Sequence, residues 1–61
     1  MEEKDIKVGT KLHFANGASA TIIYMTDDGY YSMLEYDYGW KDILCTDTIY
    51  QFEKDGKLTI E

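Results

Sequence analysis

The chain has 61 residues and a net charge of −6 at neutral pH, with twelve acidic side chains against six lysines and no arginine. A chain this short forms one domain, its longest apolar run is far below the roughly 20 residues of a membrane span, and its single cysteine excludes an internal disulfide and a cysteine-rich zinc site. Six tyrosines, two phenylalanines and one tryptophan supply large apolar area, so a packed fold is expected instead of disorder.

The chain opens with a charged segment, residues 1–7, which we interpret as an N-terminal arm ahead of a single small β domain over residues 8–61. The segment has no basic stretch followed by an apolar one, so it is not a secretory signal. We expect a complete small gene product, because the chain begins with methionine. We also expect a cytoplasmic location, because one unpaired thiol suits a reducing compartment.

Turn signals divide the rest of the chain at even spacing. Asn16-Gly17, Asp28-Gly29 and Asp55-Gly56 favour hairpins in which both central residues have positive φ, and Tyr38-Gly39 is a weaker fourth signal. The runs between these turns are rich in β-branched and aromatic residues, which predicts strands. The predicted strands are 11–15, 18–25, 30–36, 40–45, 49–54 and 57–61.

One stretch ahead of the last strands is ambiguous. Thr48 and Gln51 have the spacing of a capping box, a pattern that opens helices. Because only a few residues separate this pattern from the Asp55-Gly56 turn, we expect a short 3₁₀ turn, or one helical turn, near residues 46–49 and not a longer helix.

These elements predict an all-β fold, a strongly bent antiparallel sheet of five or six strands. The opening Val8-Gly9-Thr10-Lys11-Leu12 segment, the tight hairpins and the turn before the last strands resemble the layout of SH3-like small barrels. The resemblance covers residues 8–61 and implies a closed barrel. It implies no function, because one barrel fold serves many functions.

The period-2 alternation of strands assigns side chains to faces. It predicts a core of five residues, namely Leu12, Phe14, Phe52, Leu58 and Ile60. The strand over 18–25 is apolar on both faces, so its register stays open.

The strands over 30–36 and 40–45 indicate a candidate binding surface. A buried carboxylate needs a partner, so we expect Leu34 and Tyr36 to face the core, and Ile43 and Cys45 to do the same in the next strand. The opposite, solvent-facing group then consists of Tyr31, Met33, Glu35, Asp37, Trp40 and Asp42.

The charge is concentrated in the middle of the chain. Residues 27–55 hold eight acidic side chains against two lysines, and the segments before and after them are neutral overall. Residues 27–55 therefore carry the entire net charge. One interpretation is solubility alone. The other is an acidic face that meets a basic partner or imitates nucleic acid.

Catalytic and metal-binding signals are weak. His13 is the only histidine, with Ser19 and Ser32 as conceivable partners, and we interpret it as a surface residue. Cys45 lies in an apolar run and is interpreted as a small buried hydrophobe. No EF-hand spacing or phosphate-binding glycine loop is present, so we expect no cofactor and no physiological metal. Direct binding to nucleic acid is disfavoured by the negative charge and the lack of arginine.

Protein recognition is the class of function that these weak signals leave in favour. Tryptophan and tyrosine are enriched at interface hot spots, and aromatics interleaved with carboxylates suit a basic surface. We therefore expect a non-catalytic protein-binding module, not an enzyme. It resembles phage-encoded inhibitors and DNA mimics in size and charge, which implies a basic, nucleic-acid-handling protein as partner. The alternative is a small structural or adaptor protein whose charge serves solubility alone.

Overall fold

Five antiparallel strands and one helix make up the fold. Their bounds in the computed structural model, which describes residues 5–61, are β1 (Lys11–Phe14), β2 (Ser19–Met25), β3 (Tyr31–Tyr36), β4 (Lys41–Cys45), α1 (Thr46–Lys54) and β5 (Leu58–Ile60). The strands lie side by side in the order β4-β3-β2-β1-β5, and every neighbouring pair is antiparallel. The all-β class and the antiparallel sheet predicted from the sequence are confirmed.

The sheet is open. Within residues 5–61 no pairing joins β4 to β5, so these strands form the two edges, and the barrel is not confirmed. We call the side that carries Leu12, Ile22 and Leu34 the core face, and the opposite side, which carries His13, Thr21 and Glu35, the open face.

The loop between β1 and β2 shows how the hairpins turn. The N–H of Gly17 donates to the carbonyl of Phe14 (3.0 Å), and the N–H of Phe14 donates to the carbonyl of Ala18 (2.8 Å). Within this loop only Gly17 has positive φ (96°), so the expectation of positive φ at both Asn16 and Gly17 is wrong. A three-residue loop, a type I turn closed by one left-handed glycine, needs positive φ at one position only.

The predicted strand over 49–54 is wrong, because these residues belong to the nine-residue helix α1. The expected turn at 46–49 is in the right place, but the helix continues beyond it to Lys54. The helix begins at Thr46 with Cys45 as its N-cap, so Thr48 and Gln51 are too far along the chain to form a capping box.

The Asp55-Gly56 pair ends this helix and does not turn a hairpin, so the third predicted hairpin is also wrong. The N–H of Gly56 donates to Glu53 (3.1 Å) and that of Lys57 to Phe52 (2.9 Å), and Gly56 has φ +78°. This is the Schellman arrangement, which satisfies the last helical carbonyls. The Lys57 ammonium lies 5.2 Å from the centre of the Phe52 ring.

The core lies between the sheet and α1. Predicted core residues Leu12, Leu58 and Ile60 are buried, and predicted Phe14 and Phe52 are partly buried against them. Leu34, which we expected to face the core, is buried, and Tyr36 is partly buried against the core as expected. Missed core members are Ile6, Ala20, Ile22 and Ile49. Because Ile49 of the helix is fully buried in the same cluster, α1 packs on the core face and leaves the open face uncovered.

Ile6, which precedes β1, completes this packing. Ile6 is buried, and its N–H donates to the Tyr50 hydroxyl (3.0 Å). The predicted N-terminal arm, residues 1–7, is seen only in part, since residues 1–4 lie outside the described residues.

Candidate functional site

All six residues of the predicted surface lie on one hairpin, formed by β3, β4 and the turn between them. The register pairs Tyr31 with Cys45, Met33 with Ile43 and Glu35 with Lys41. Opposed residues of an antiparallel pair point to the same side of the sheet. These pairs therefore share one face, and that face is the open one.

Four of the predicted residues are on this open side. Tyr31 is 46% exposed, Met33 is half-buried and Glu35 is exposed. Asp37 follows β3 in the turn, and its N–H donates to the carbonyl of Ser19 (2.9 Å). Glu35 and Asp37 line the same shallow depression of about 380 Å³. The structure thus places Tyr31, Met33, Glu35 and Asp37 along one face, with Glu35 and Asp37 at one depression and Tyr31 and Met33 at another.

Trp40 and Asp42 lie on the other side of the hairpin. Asp42 is paired with Leu34, a core residue, and the Tyr36 N–H donates to the carbonyl of Trp40 (2.7 Å). The expectation that Ile43 faces the core is wrong, because it is 57% exposed on the open face. Cys45, also expected to face the core, is half-buried and paired with Tyr31 on the open side.

The physical reason for this reversal is that β4 is an edge strand. Asp42 lies near the hairpin end of this edge strand, where it is exposed and avoids the desolvation that a buried carboxylate would suffer. Trp40 is 66% exposed at the same end.

The carboxylate of Asp42 has a further contact at this edge. Its Oδ1 accepts the N–H of Ile43 at 2.8 Å. Tyr36 and Trp40 form a hydrogen-bonded pair, and in an antiparallel ladder such pairs alternate with pairs that are not hydrogen-bonded. Ile43, three residues after Trp40, belongs to a pair that is not hydrogen-bonded, so its N–H points away from β3. An outward donor that is occupied by its neighbouring side chain is less able to accept an added strand.

An aromatic cluster covers the turn end of the hairpin. Tyr36 and Tyr38 stack with ring centres 5.3 Å apart, and the ring centre of Phe14 lies 5.6 Å from that of Tyr36. Burial, followed by the charge of Asp42, raises the pKa of Tyr36. Tyr38 is 67% exposed and was not predicted as a surface contact, although it continues the alternating aromatic pattern of Tyr36 and Trp40.

A shallow apolar groove of about 310 Å³ lies at the opposite end of the hairpin, on the open face. We call it the open-face groove; it is lined by Tyr24, Thr26, Tyr31, Ser32, Met33 and Ile43. Tyr24 reaches this face because a bulge between Ile22 and Tyr24 shifts the register of β2. Sequence reasoning missed Tyr24 and Ile43, since the bulge has no signature in the residues and the faces of β4 were reversed.

The β2–β3 loop beside this groove is held by side-chain hydrogen bonds. Asp28 Oδ1 accepts from the Thr26 hydroxyl (2.7 Å) and from the Tyr30 N–H (2.9 Å). The Tyr31 N–H in turn donates to Thr26 Oγ1 (3.1 Å). The Tyr30 N–H, and then the Thr26 hydroxyl, lower the pKa of Asp28 because both stabilise the carboxylate.

His13 has contacts that resemble an acid–base relay. Its Nδ1 lies 3.3 Å from Ser19 Oγ and its Nε2 lies 3.2 Å from Glu61 Oε1. All three groups are on the surface, where water competes for these hydrogen bonds and screens the charges. Preorganised catalysis gains most in a site that excludes water, so this arrangement offers little activation of the serine.

Metal and membrane features are equally limited. Within residues 5–61, no group of three or more histidine, cysteine, aspartate or glutamate side chains is arranged to hold a metal ion. In the same part of the chain, no helix combines the length and the apolar character that crossing a bilayer requires. Hydrogen bonding with the side chain of Cys45, followed by its charge, raises the pKa of Tyr30.

Exposed aromatic, apolar and acidic side chains thus lie on both sides of the β3–β4 hairpin. Comparison of the chain with protein families, with curated proteins and with solved structures finds no match.

Proposed function

We propose that this chain is a non-catalytic protein-binding module that contacts a basic partner surface through its β3–β4 hairpin. The observation that carries the proposal is the exposure of large apolar side chains among carboxylates on this one hairpin. The exposed apolar members are Tyr31, Tyr38, Trp40 and Ile43, with Met33 half-buried among them, and the acidic members are Glu35, Asp37 and Asp42.

The chemistry of these groups suits a surface rich in lysine and arginine. Tryptophan and tyrosine bury much area at low entropic cost and attract cations to their ring faces. The net charge of −6 accelerates encounter with a positive partner. A small acidic inhibitor that occupies the basic surface of a nucleic-acid-handling protein is the form of this function that we favour.

The geometry supports contact through side chains and not through strand addition. The hairpin lies at the edge of the sheet, so a partner that wraps around β4 reaches Trp40 on one side and Tyr31 on the other. Asp42 occupies the outward N–H of Ile43, which reduces the capacity of β4 to pair with another strand. We also propose a cytoplasmic location, which the free thiol of Cys45 suits.

A charge-reversal comparison tests the proposal. The immobilised chain captures proteins from a cell lysate, and the amounts are compared for wild type, for Glu35→Lys/Asp37→Lys/Asp42→Lys, and for a control with the exposed residues Asp5, Asp55 and Glu61 changed to lysine. Both variants change the charge equally. We expect the hairpin variant to lose the main captured protein and the control to keep it, with melting temperatures near that of wild type because exposed changes cost no more than about 0.5 kcal/mol each.

Trp40→Ala adds a kinetic test with the captured protein. Removal of an interface anchor should raise the dissociation rate about tenfold or more and leave the salt dependence of association unchanged. Equal capture by all variants, or a loss with the control variant alone, contradicts the proposed surface.

A second candidate function is a structural or adaptor protein. One observation favours it: Glu35 is paired with Lys41 and lies beside Thr21, which is paired with Lys11, so charges of both signs alternate on the open face. A mixed surface of this kind serves solubility. Capture that is insensitive to both charge reversals is the result expected for this function.

A further inference from the structure

The open-face groove has a composition that defines a ligand class. It lies between β2, β3 and β4, and its walls are the exposed parts of Tyr24, Tyr31, Met33 and Ile43. Tyr30 packs edge-on against Tyr31, with ring centres 4.6 Å apart and planes at 87°. This contact braces the Tyr31 wall of the groove, which lowers the cost of ordering that wall when an occupant binds.

The surroundings of the groove are acidic on one side only. At the loop end, Thr26 lines the groove, and its hydroxyl donates to Asp28 Oδ1 at 2.7 Å, which places a carboxylate at the rim. Asp27 is exposed in the same loop. At the far end, Glu35 faces Lys41 across the strands, so that end is neutral overall.

From these observations we propose that the open-face groove binds an apolar side chain of a partner segment in which lysine or arginine flanks that side chain. The inference rests on the proposed protein-binding function and specifies the partner sequence that it recognises. The apolar side chain covers Tyr24, Met33 and Ile43, and the adjacent cations meet Asp27 and Asp28.

A second copy of this chain fits the groove less well than a basic segment. Each copy carries a net charge of −6, so face-to-face association brings two acidic loops and two negative molecules together. A basic segment instead neutralises the loop while its apolar side chain leaves water.

The test uses the full chain, labelled with ¹⁵N, and three capped hexapeptides as probes. The first has one leucine among three lysines, the second has serine in place of leucine, and the third has glutamate in place of every lysine. Amide shifts report both the affinity and the place of binding. We expect the first peptide to shift the amides of Tyr24, Thr26, Tyr31 and Ile43, and to bind about tenfold more tightly than the serine peptide.

Variants of the protein separate the two parts of the site. Asp28→Asn keeps a side-chain oxygen for the Thr26 and Tyr30 hydrogen bonds and removes only the charge, so affinity should fall about threefold. Ile43→Thr should weaken the leucine peptide and leave the serine peptide unchanged. Val8→Thr, a change of comparable size at an exposed residue outside the groove lining, is the control and should have no effect.

The alternatives give distinct results. Equal affinity for the leucine and serine peptides, or shifts outside the groove, overturns the proposal, as does no binding at millimolar peptide. Shifts of the groove amides that grow with protein concentration alone place a second copy there and also overturn it. Failure of the leucine preference while the hairpin reversal still abolishes protein capture refutes the groove and leaves the wider function intact; the reverse pattern refutes the wider function.

Discussion

Removal of a single methylene from Ile49 tests whether residues 49–54 form the helix seen in the structure or the strand that the sequence predicts. Ile49 is fully buried on the inner side of α1. In a strand over 49–54 that turned Tyr50 and Phe52 inward, the same side chain would face water. Ile49→Val should therefore destabilise the protein by about 1 kcal/mol, from the loss of one buried methylene and the small cavity that remains.

The size of this effect is large for so small a domain. At about 0.05–0.15 kcal/mol per residue, the whole free energy of unfolding is roughly 3–9 kcal/mol. A loss of about 1 kcal/mol lowers the melting temperature of a domain this small by about 4–8 °C. Ile49→Ala, at about 2–5 kcal/mol, would approach the whole stability, so valine is the more informative substitution.

The assay is thermal unfolding followed by circular dichroism, with urea unfolding as a check that the m-value is unchanged. Ile43→Val is a matched control, because it removes the same methylene from a side chain that is 57% exposed on the open face. We expect a shift of less than about 2 °C for this control. Equal shifts for the two valine variants, or a neutral Ile49→Val, would refute the packing of α1 on the sheet.

Three further predictions test other contacts. Ser32→Ala leaves the Thr46 hydroxyl without its 2.8 Å buried partner and should cost about 1–3 kcal/mol, and Thr46→Val on that background should recover most of the loss in urea unfolding. Gly17→Val should cost more than about 1 kcal/mol, since no atom crowds the position and the strain comes from φ +96° alone; an unchanged melting temperature contradicts this loop. Because the pKa of Asp28 is lowered in the fold, its ionised carboxylate stabilises the protein above the unfolded-state pKa, and this stabilisation is lost as the pH falls below about 4. The difference in stability between wild type and Asp28→Asn should therefore shrink on acidification, and a difference that is constant with pH contradicts the prediction.

The strands β1 to β4 were predictable to within a residue or two because two independent signals agree there. Side chains alternate with period 2, and glycine follows a polar or aromatic residue at each turn. The type of loop was not predictable to the same degree. Asn16-Gly17 occurs both in two-residue turns and in three-residue loops with one left-handed glycine, and the pair alone does not distinguish them.

The helix was missed because both of its signals have a second meaning. Tyr50 and Phe52 are two residues apart, which matches a strand, and Asp55-Gly56 matches a hairpin turn. In the structure the same glycine is the left-handed residue that ends a helix. Asp47 in the first turn and Lys54 in the last complement the helix dipole, and these charges were the signal that favoured a helix.

The candidate surface shows that the rule by which carboxylates avoid the core face holds inside the sheet but not at its edge. The argument that carboxylates avoid the core correctly placed Glu35 on the open face, because β3 lies inside the sheet and one side of it is fully covered. The same argument failed for Asp42, because at an edge strand the core side is also accessible to water. There Asp42 is held by the Ile43 N–H and not by distance from the core. A charged residue next to an exposed aliphatic one thus favours an edge that resists strand pairing, so what this edge presents to solvent is the side chains of the hairpin and not free backbone donors.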